Sequence, residues 1–358
     1  YTFGDQIATG VSQTQLANPN LKWETTTEFN FGVDFGLFNN RIVGSMEYFD
    51  RRVSDLLDSK KLMSYNPINT IMANIGVKGS RGFELGLTTR NLIGEFLWTT
   101  DYVFSFYRDR WKERSPQWKK AIYEGAHDML NPRYVMLSDG LVQPEDMNPD
   151  GTCKIPHMPN AKPGMIKYKD LHGRDAETGE LTDGPDGKLD EADIVYKGTD
   201  TPKFYVGFGN TFAYKGFDLN IFFYGYLGKQ LENPAYLTYV KGAKGILNGS
   251  NMLVDVADCW THDNLNGKFP VCLNSPYDNY RSDFWLENAN FLRCKNITLG
   301  YTLPKLGNFG KLVKNLRVYA DVQNPFVFTK YSGIDPEMSG LAAYPTQTTM
   351  SFGVDITF

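Results

Sequence analysis

The last ten residues, Thr349 to Phe358, change character at every step. Met350, Phe352, Val354, Ile356 and Phe358 share one parity; Thr349, Ser351, Gly353, Asp355 and Thr357 share the other. Successive side chains of a strand point to opposite faces, so the segment predicts a strand with one apolar and one polar face. The pattern recurs upstream. Between Lys22 and Leu37, residues Trp23, Phe29, Phe31, Val33, Phe35 and Leu37 oppose Lys22, Glu24, Glu28, Asn30, Asp34 and Gly36. Asn39-Asn40 predicts a two-residue turn, after which Ile42, Gly44, Met46 and Tyr48 oppose Arg41, Ser45, Glu47 and Arg51. Phe83, Leu85 and Leu87 oppose Glu84, Thr88 and Arg90, and Phe96, Trp98, Tyr102, Phe104 and Phe106 oppose Thr99, Asp101 and Ser105. Phe204, Val206, Phe208, Phe212 and Tyr214 then turn through Lys215-Gly216 into Phe217, Leu219, Ile221 and Phe223. Near the end, Ile297, Leu299, Tyr301 and Leu303 precede Leu316, Val318, Ala320 and Val322.

These runs predict an all-β chain of nine strands, over 22–38, 41–53, 81–92, 96–108, 203–214, 217–227, 290–303, 314–328 and 347–358. Several are about twice the five or six residues usual in soluble proteins. Short turns alternate with long inserts at 54–80, 109–202, 228–287 and 329–346. Short turns at one end and long loops at the other are the pattern of an outer-membrane barrel, with the short end periplasmic. The apolar parity, including Phe29, Phe31, Ile221, Phe223, Val354 and Ile356, then faces lipid, and the polar parity a wet lumen. If Phe358 ends at the periplasmic rim, counting backwards makes the first strand descend as well. Nine strands with parallel first and last members cannot close an antiparallel barrel. An open edge in lipid costs several kcal/mol for each unsatisfied backbone group. The whole of 1–358 therefore reads as the C-terminal part of a larger barrel.

Composition narrows the functional classes. The net charge of -4 offers no basic field, which argues against a nucleic-acid partner. Aromatic residues make up 14% of the chain, with 24 Phe, 21 Tyr and 6 Trp, which suits a β protein with many turns. No apolar stretch is long enough for a transmembrane helix, and Tyr1 opens a loop-like stretch without a signal-peptide pattern. The four cysteines form no CxxC and read as free or buried thiols; Cys153 and Cys294 stand apart, and a bridge between Cys259 and Cys272 within one loop is the alternative in an oxidising compartment. The four histidines, His127, His157, His172 and His262, all fall in polar loop-like sequence and build no triad. An enzymatic barrel would need a nucleophile and base, and neither is in evidence.

Five segments carry a family resemblance: NPNLKWETTTEFNFGVDFGLFNNRI, PGMIKYKDL, YKGFDLNIFFYG, ENANFLRCKNITLGYTLP and VYADVQNPFVFTKYSGIDPE. In this order, from Asn18 to Phe358, they resemble the SusC-like (RagA-type) TonB-dependent outer-membrane transporters. The resemblance implies a barrel of about 22 strands with a plugged lumen, whose even-numbered strands descend to the periplasm. Nine strands ending at the twenty-second begin at the fourteenth, a descending one, in agreement with the direction obtained by counting. It also implies that the signal sequence, N-terminal extension, TonB-contacting box, plug and earlier strands lie outside this chain. The multi-pass barrel would sit in the outer membrane of a Gram-negative bacterium. It would import oligosaccharides or peptides with energy from the TonB complex, under a SusD-like surface lipoprotein acting as a lid. A structural or adhesive barrel without active transport is the alternative, and a soluble β-sheet binding module a third.

The family often carries an acidic, calcium-type loop after GMIKYKD. Here the run is split: Asp170 stands apart from Asp186, Gly187, Lys188, Asp190 and Asp193, with His172 where Asn is usual and Asp183 as a substitute. The later spacing, with glycine at the sharp turn, fits a hard cation, so Asp170, Asp186, Asp190 and Asp193 are the candidate ligands of a calcium ion, against the alternative of an unmetallated acidic turn. No cofactor is otherwise required. The pairs Glu145-Asp146 and Glu191/Asp193 read as solvated loop faces. Aromatic residues crowd the long loops: Trp111, Trp118, Tyr123, Tyr134, Tyr236, Tyr239, Trp260, Tyr277, Tyr280 and Trp285. They serve either cargo stacking or packing among the loops and against the lid.

Overall fold

The computed structural model describes residues 2–3, 6–7, 14–66, 68–125, 127–241, 251–304, 313–338, 340–341 and 344–358. Its main sheet contains nine long strands: β1 (Thr25–Leu37), β2 (Ile42–Ser54), β3 (Val77–Ile93), β4 (Phe96–Glu113), β5 (Phe204–Tyr214), β6 (Phe217–Leu227), β7 (Phe291–Thr302), β8 (Asn315–Gln323) and β9 (Thr349–Thr357). Each strand neighbours the next in chain order, leaving β1 and β9 at the two edges. From β4 to β9 every pairing is antiparallel.

All nine predicted strands are present, with changed ends. β3 and β4 extend further into the loop end than expected, to Val77 and Glu113. The eighth is interrupted. Asn324 adopts φ 49°, a left-handed conformation, immediately before Pro325, and only Val327–Thr329 resumes pairing, with β7. The Asn39-Asn40 turn is also wider than two residues. Phe38, Asn39 and Asn40 all have positive φ, and Arg41 N donates to Phe38 O. Lys215 and Gly216, at φ 46° and 89°, form the tight hairpin that the sequence predicts.

The chain divides into two units. The larger comprises 32–47, 83–106 and 131–358. Within it, register places Phe212 opposite Leu219, Leu219 opposite Leu299, Leu299 opposite Ala320 and Ala320 opposite Phe352, so one apolar face runs across β5 to β9. Phe352, Val354 and Ile356 are exposed, and Ile221 and Phe223 are not buried. The opposite face carries a polar ladder. Thr298 Oγ1 donates to Asp321 (2.6 Å), Asn296 Nδ2 to Asn220 (3.2 Å), and Asn220 Nδ2 to Thr211 (2.9 Å). Arg317 reaches over Gly300 to bond both oxygens of Asp218 (2.9 and 2.6 Å) and also Asp355 (3.1 Å). A Cβ on Gly300 would lie 2.5 Å from the guanidinium, so glycine leaves the space for that reach.

Polar residues interrupt the apolar face around Thr100 and Asn210, which are direct cross-strand partners. Thr100 Oγ1 and Trp98 Nε1 both donate to Asn210 Oδ1, at 2.8 and 2.9 Å, while Asn91 Nδ2 donates to Thr100 Oγ1 at 2.7 Å. In hydrocarbon, where water cannot satisfy a polar group, such mutual pairing offsets the cost of desolvation.

The hydrophobic clusters of this unit lie outside the sheet, in the inserts. Met136, Val142, Met158, Ala161, Met165 and Tyr168 form one; Val240, Cys259, Phe269 and Trp285 another; Leu231, Ala289 and Tyr331 a third. Burying each large aliphatic or Phe side chain contributes about 1.5–3 kcal/mol, so the inserts fold on cores of their own. Short antiparallel ribbons frame them, pairing Pro132–Met136 with Ile194–Thr199, Ser138–Leu141 with Ile166–Tyr168, and Gln230–Glu232 with Leu286–Asn288.

The smaller unit comprises 1–31, 48–82 and 107–130, which hold the loop ends of the first four strands. Phe29 and Phe31 are exposed. Leu57–Lys61 and Thr70–Asn74 form its hairpin, and Asn74 Nδ2 ties Lys22 O and Asp55 O (both 2.8 Å). Arg114 stacks between Trp111 and Trp118, 4.9 and 4.5 Å from their rings.

Candidate functional site

At the loop end of β5, β6 and β7 the polar face becomes aromatic. Tyr205 lies opposite Tyr226, Tyr226 opposite Phe291, and Tyr224 opposite Arg293. Their parity is that of Asp218 and Asn220, which puts them on the face expected to line the lumen. The rings meet edge to face: Tyr205–Tyr226 and Tyr226–Phe291 at 5.0 Å, and Tyr224–Phe291 at 5.8 Å and 89°. Such pairs add about 0.5–1.5 kcal/mol each beyond burial and hold the rings as a rigid wall.

A strap from the last long loop is latched onto this wall. Arg293, only 4% exposed, donates Nη2 to Asp335 Oδ1 (2.7 Å) and Nε to Glu337 Oε2 (2.8 Å). The Tyr224 hydroxyl also donates to the Glu337 carboxylate (2.9 and 3.1 Å), and Lys229 Nζ to Pro336 O (3.0 Å). Burial pushes the Asp335 carboxyl up, but the amides of Glu337 and Thr346 with the Arg293 guanidinium carry it below the usual carboxylate range. Further along the strap, Glu287 accepts from Ser332 N and Oγ (2.8 and 2.6 Å), and Asn290 Oδ1 accepts from Gly228 N and Lys229 N (2.6 and 3.2 Å). A buried guanidinium whose Nε and Nη2 each meet a carboxylate is a paired, hydrogen-bonded charge, the condition under which buried charge is tolerated. The geometry offers incoming molecules tyrosine edges, hydroxyls and a fixed rim.

None of this group was among the expected site residues. Arg293 is 42 residues from Asp335 and 44 from Glu337, so no local spacing announces the pair. The signal available was an arginine on strand parity in NFLRC, together with two acids in GIDPE.

The insertion within the acidic loop folds back and returns Asp170 to the later acidic run. The hairpin of His172–Arg174 with Leu181–Asp183 folds the insertion back, and Asp170 Oδ1 and Oδ2 accept from Asp186 N (3.1 Å) and Gly187 N (2.8 Å). Gly187, at φ 80°, makes the sharp turn. Asp186 Oδ1 accepts from Lys188 N (2.9 Å), and Asp190 Oδ1 from Ala192 N (2.6 Å). Asp193 accepts from Leu171, His172 and Asp190 amides (2.7, 3.2 and 3.0 Å). Asp183 is exposed, opposite His172. The four carboxylates thus cap turns, and among the described residues no three His, Cys, Asp or Glu side chains converge as a ligand set.

Many of the loop aromatics pack within their own insert or against a neighbouring one. Trp260 and Trp285 are buried, Tyr236 meets Phe269 at 4.9 Å, Tyr134 meets Tyr196 at 6.2 Å, and Tyr280 meets Tyr168 at 6.5 Å. Asp146 Oδ2 accepts from Gln143 N (3.0 Å) and faces Lys167 (3.6 Å).

Comparison with known proteins agrees with this architecture. The family described as TonB dependent receptor-like, beta-barrel matches residues 1–324. The chain is 29% identical to the TonB-dependent receptor SusC of Bacteroides thetaiotaomicron, over 100% of this chain and 34% of that protein. It is 28% identical to TonB-dependent receptor P3 of Formosa agariphila, over 99% of this chain and 36% of the relative. It thus spans about a third of the length of these relatives. The solved structure of the RagAB peptide transporter aligns with a TM-score of 0.78 at 23% identity, covering 100% of this chain and 38% of that one, a likeness of fold.

Proposed function

We propose, from the premise that the chain belongs to the TonB dependent receptor-like β-barrel family of the outer membrane, that it forms part of the wall of an importer for oligosaccharides or peptides. In this reading the apolar face of the nine strands meets lipid, the polar face lines the lumen, and the inserts stand outside the cell. The observation that carries it is the aromatic wall of Tyr205, Tyr224, Tyr226 and Phe291, held rigid at the loop end of the polar face. Tyrosine edges suit both sugar rings and peptide side chains, because each presents a flat apolar face beside hydroxyls that bond polar substituents. The whole transporter works with the TonB complex, which moves the plug, and with a SusD-like lipoprotein as lid. The name of the RagAB relative, a peptide transporter, makes peptides the first cargo to test.

The experiment is a deletion of the full-length gene, complemented with the natural gene or with Tyr205→Ala/Tyr226→Ala. Growth is measured on defined peptide mixtures and on defined oligosaccharides as limiting nutrient, with and without a working TonB. Loss of growth on one cargo class, restored by the natural gene only when TonB is active, is the expected result. Unchanged growth on every cargo, with altered cell adhesion, would instead establish a structural or adhesive barrel.

A further inference from the structure

We propose that Cys259 and Cys272 are joined by a disulfide in the exported protein, and that this bond staples a second strap, 259–272, which forms one wall of an extracellular cavity. The two Sγ atoms lie 3.1 Å apart. Cys259 is 3% exposed and Cys272 partly exposed. The backbone has already drawn the ends of the strap together: Trp260 N donates to Phe269 O (2.8 Å), and Phe269 N to Asp258 O (3.2 Å). Gly267 lies so close to the Cys259 carbonyl that a Cβ there would stand 2.6–2.7 Å from it. Closing the bond therefore requires a short approach of two side chains and no rearrangement of the chain. The other two cysteines are elsewhere, Cys153 packed against the Met136 cluster and Cys294 on β7.

Compartment supplies the second argument. The inserts of an outer-membrane barrel fold outside the reducing cytoplasm, where paired thiols oxidise and persist as disulfides. The step balances as thiol–disulfide exchange with a protein disulfide oxidant. The thiolate of Cys272, the more accessible partner, attacks one sulfur of the oxidant's disulfide and releases the other as a thiolate. The Cys259 sulfur then attacks Cys272 Sγ and expels the oxidant's second thiolate. Two electrons pass to the oxidant, whose two thiolates take up the two protons lost by the cysteines. Burial, with the neighbouring Cys272, pushes the Cys259 thiol up to about 12, consistent with Cys272 being the partner that meets the oxidant first.

The staple matters because of what hangs on it. Trp260 and Val271, each adjacent to one of the cysteines, close over Gly164, which bonds Val142 O through its N–H and accepts from Val271 N (2.7 and 2.8 Å). With Lys162, Pro163, His262 and Leu273 they line an open cavity of about 500 Å³. An oxidised strap keeps that wall closed; a reduced one opens from its exposed end.

Full-length protein taken from native outer membranes under N-ethylmaleimide, without reductant, is digested and mapped by mass spectrometry. The expected product is a Cys259–Cys272 linked peptide lighter by two hydrogens than the sum of its parts, with Cys153 and Cys294 alkylated. Maleimide on Cys259 or Cys272, or linkage of either to Cys153, overturns the pairing. For the wall, limited proteolysis between 253 and 275 is compared with and without reductant. Reduction should raise cleavage about tenfold in the natural protein, and leave Cys259→Ser/Cys272→Ser unchanged at the higher rate. A natural protein indifferent to reductant would show that the bond restrains nothing.

Discussion

At the residue scale, two positions concentrate the cost of changing this chain. Gly164 sits at φ 83°, and a Cβ there would fall 2.5 Å from Trp260 and 2.7 Å from Val271. Gly164→Ala therefore meets both backbone strain and overpacking, together about 2–4 kcal/mol, borne by the insert and not by the barrel. The expected outcome is faster proteolysis within 142–165 and 258–273, with heat-modifiable migration of the full-length barrel retained. Asp335 is the second. Its folded-state pKa lies below the unfolded value, so its ionised form stabilises the strap at neutral pH. That contribution is lost as pH falls from the ordinary carboxylate range through the depressed value. Protease access to 330–338 should accordingly rise in acid in the natural protein. Asp335→Asn should raise access at neutral pH, with an upper bound of about 3–5 kcal/mol for breaking a buried pair, and flatten the pH profile. A variant that kept the natural profile would mean that Glu337 alone holds Arg293.

At the scale of elements, each wall strand has one face for lipid and one for the lumen, and substitutions should sort by parity. Ile221→Arg introduces a charge among Leu219, Phe223 and Ile297 on the apolar face, at a cost of about 2–4 kcal/mol if at mid-membrane. Thr211→Lys, on the polar face opposite Asn220, should be tolerated. The folded fraction of full-length protein in lipid vesicles, read by heat-modifiable migration under urea, separates the two. If both variants lost stability equally, the assignment of faces would be wrong. This parity was legible in the sequence because a strand's period is two and each face meets a different solvent. What was hidden was set by partners remote in sequence. The Met136 amide bonds Arg281 O, and the strand pieces of the inserts are three to six residues long, too short to show a period. Asn210 broke the apolar parity with no sign that Thr100 would satisfy it. The break in the eighth strand was readable at Asn324-Pro325, since proline lacks the N–H that the ladder needs. The aromatic wall was half legible: its residues carried strand parity, but the latch of Arg293 needed a loop whose return path only the fold supplies.

At the scale of the whole molecule, the decisive feature is that β1 and β9 stand at opposite edges of one sheet. The apolar face gains nothing from lipid by way of protein packing, since lipid tails are as apolar as leucine. Stability in the membrane therefore rests on backbone hydrogen bonds, and an edge strand leaves half of its groups without them. A strand crossing the bilayer with about ten residues would expose several unsatisfied groups on each edge, at several kcal/mol apiece, more than a domain's whole margin of about 5–15 kcal/mol. Pairing both edges with further strands of the same barrel removes that cost. We therefore expect that residues 1–358, exported alone behind a signal peptide, do not insert as a stable barrel, whereas the inserts, with their own cores around Met136 and Phe269, still fold. Supplying partner strands for both edges as a co-exported second chain should restore a species that migrates anomalously until heated. A heat-sensitive, protease-resistant monomer formed by 1–358 alone would mean that the nine-stranded sheet closes on itself.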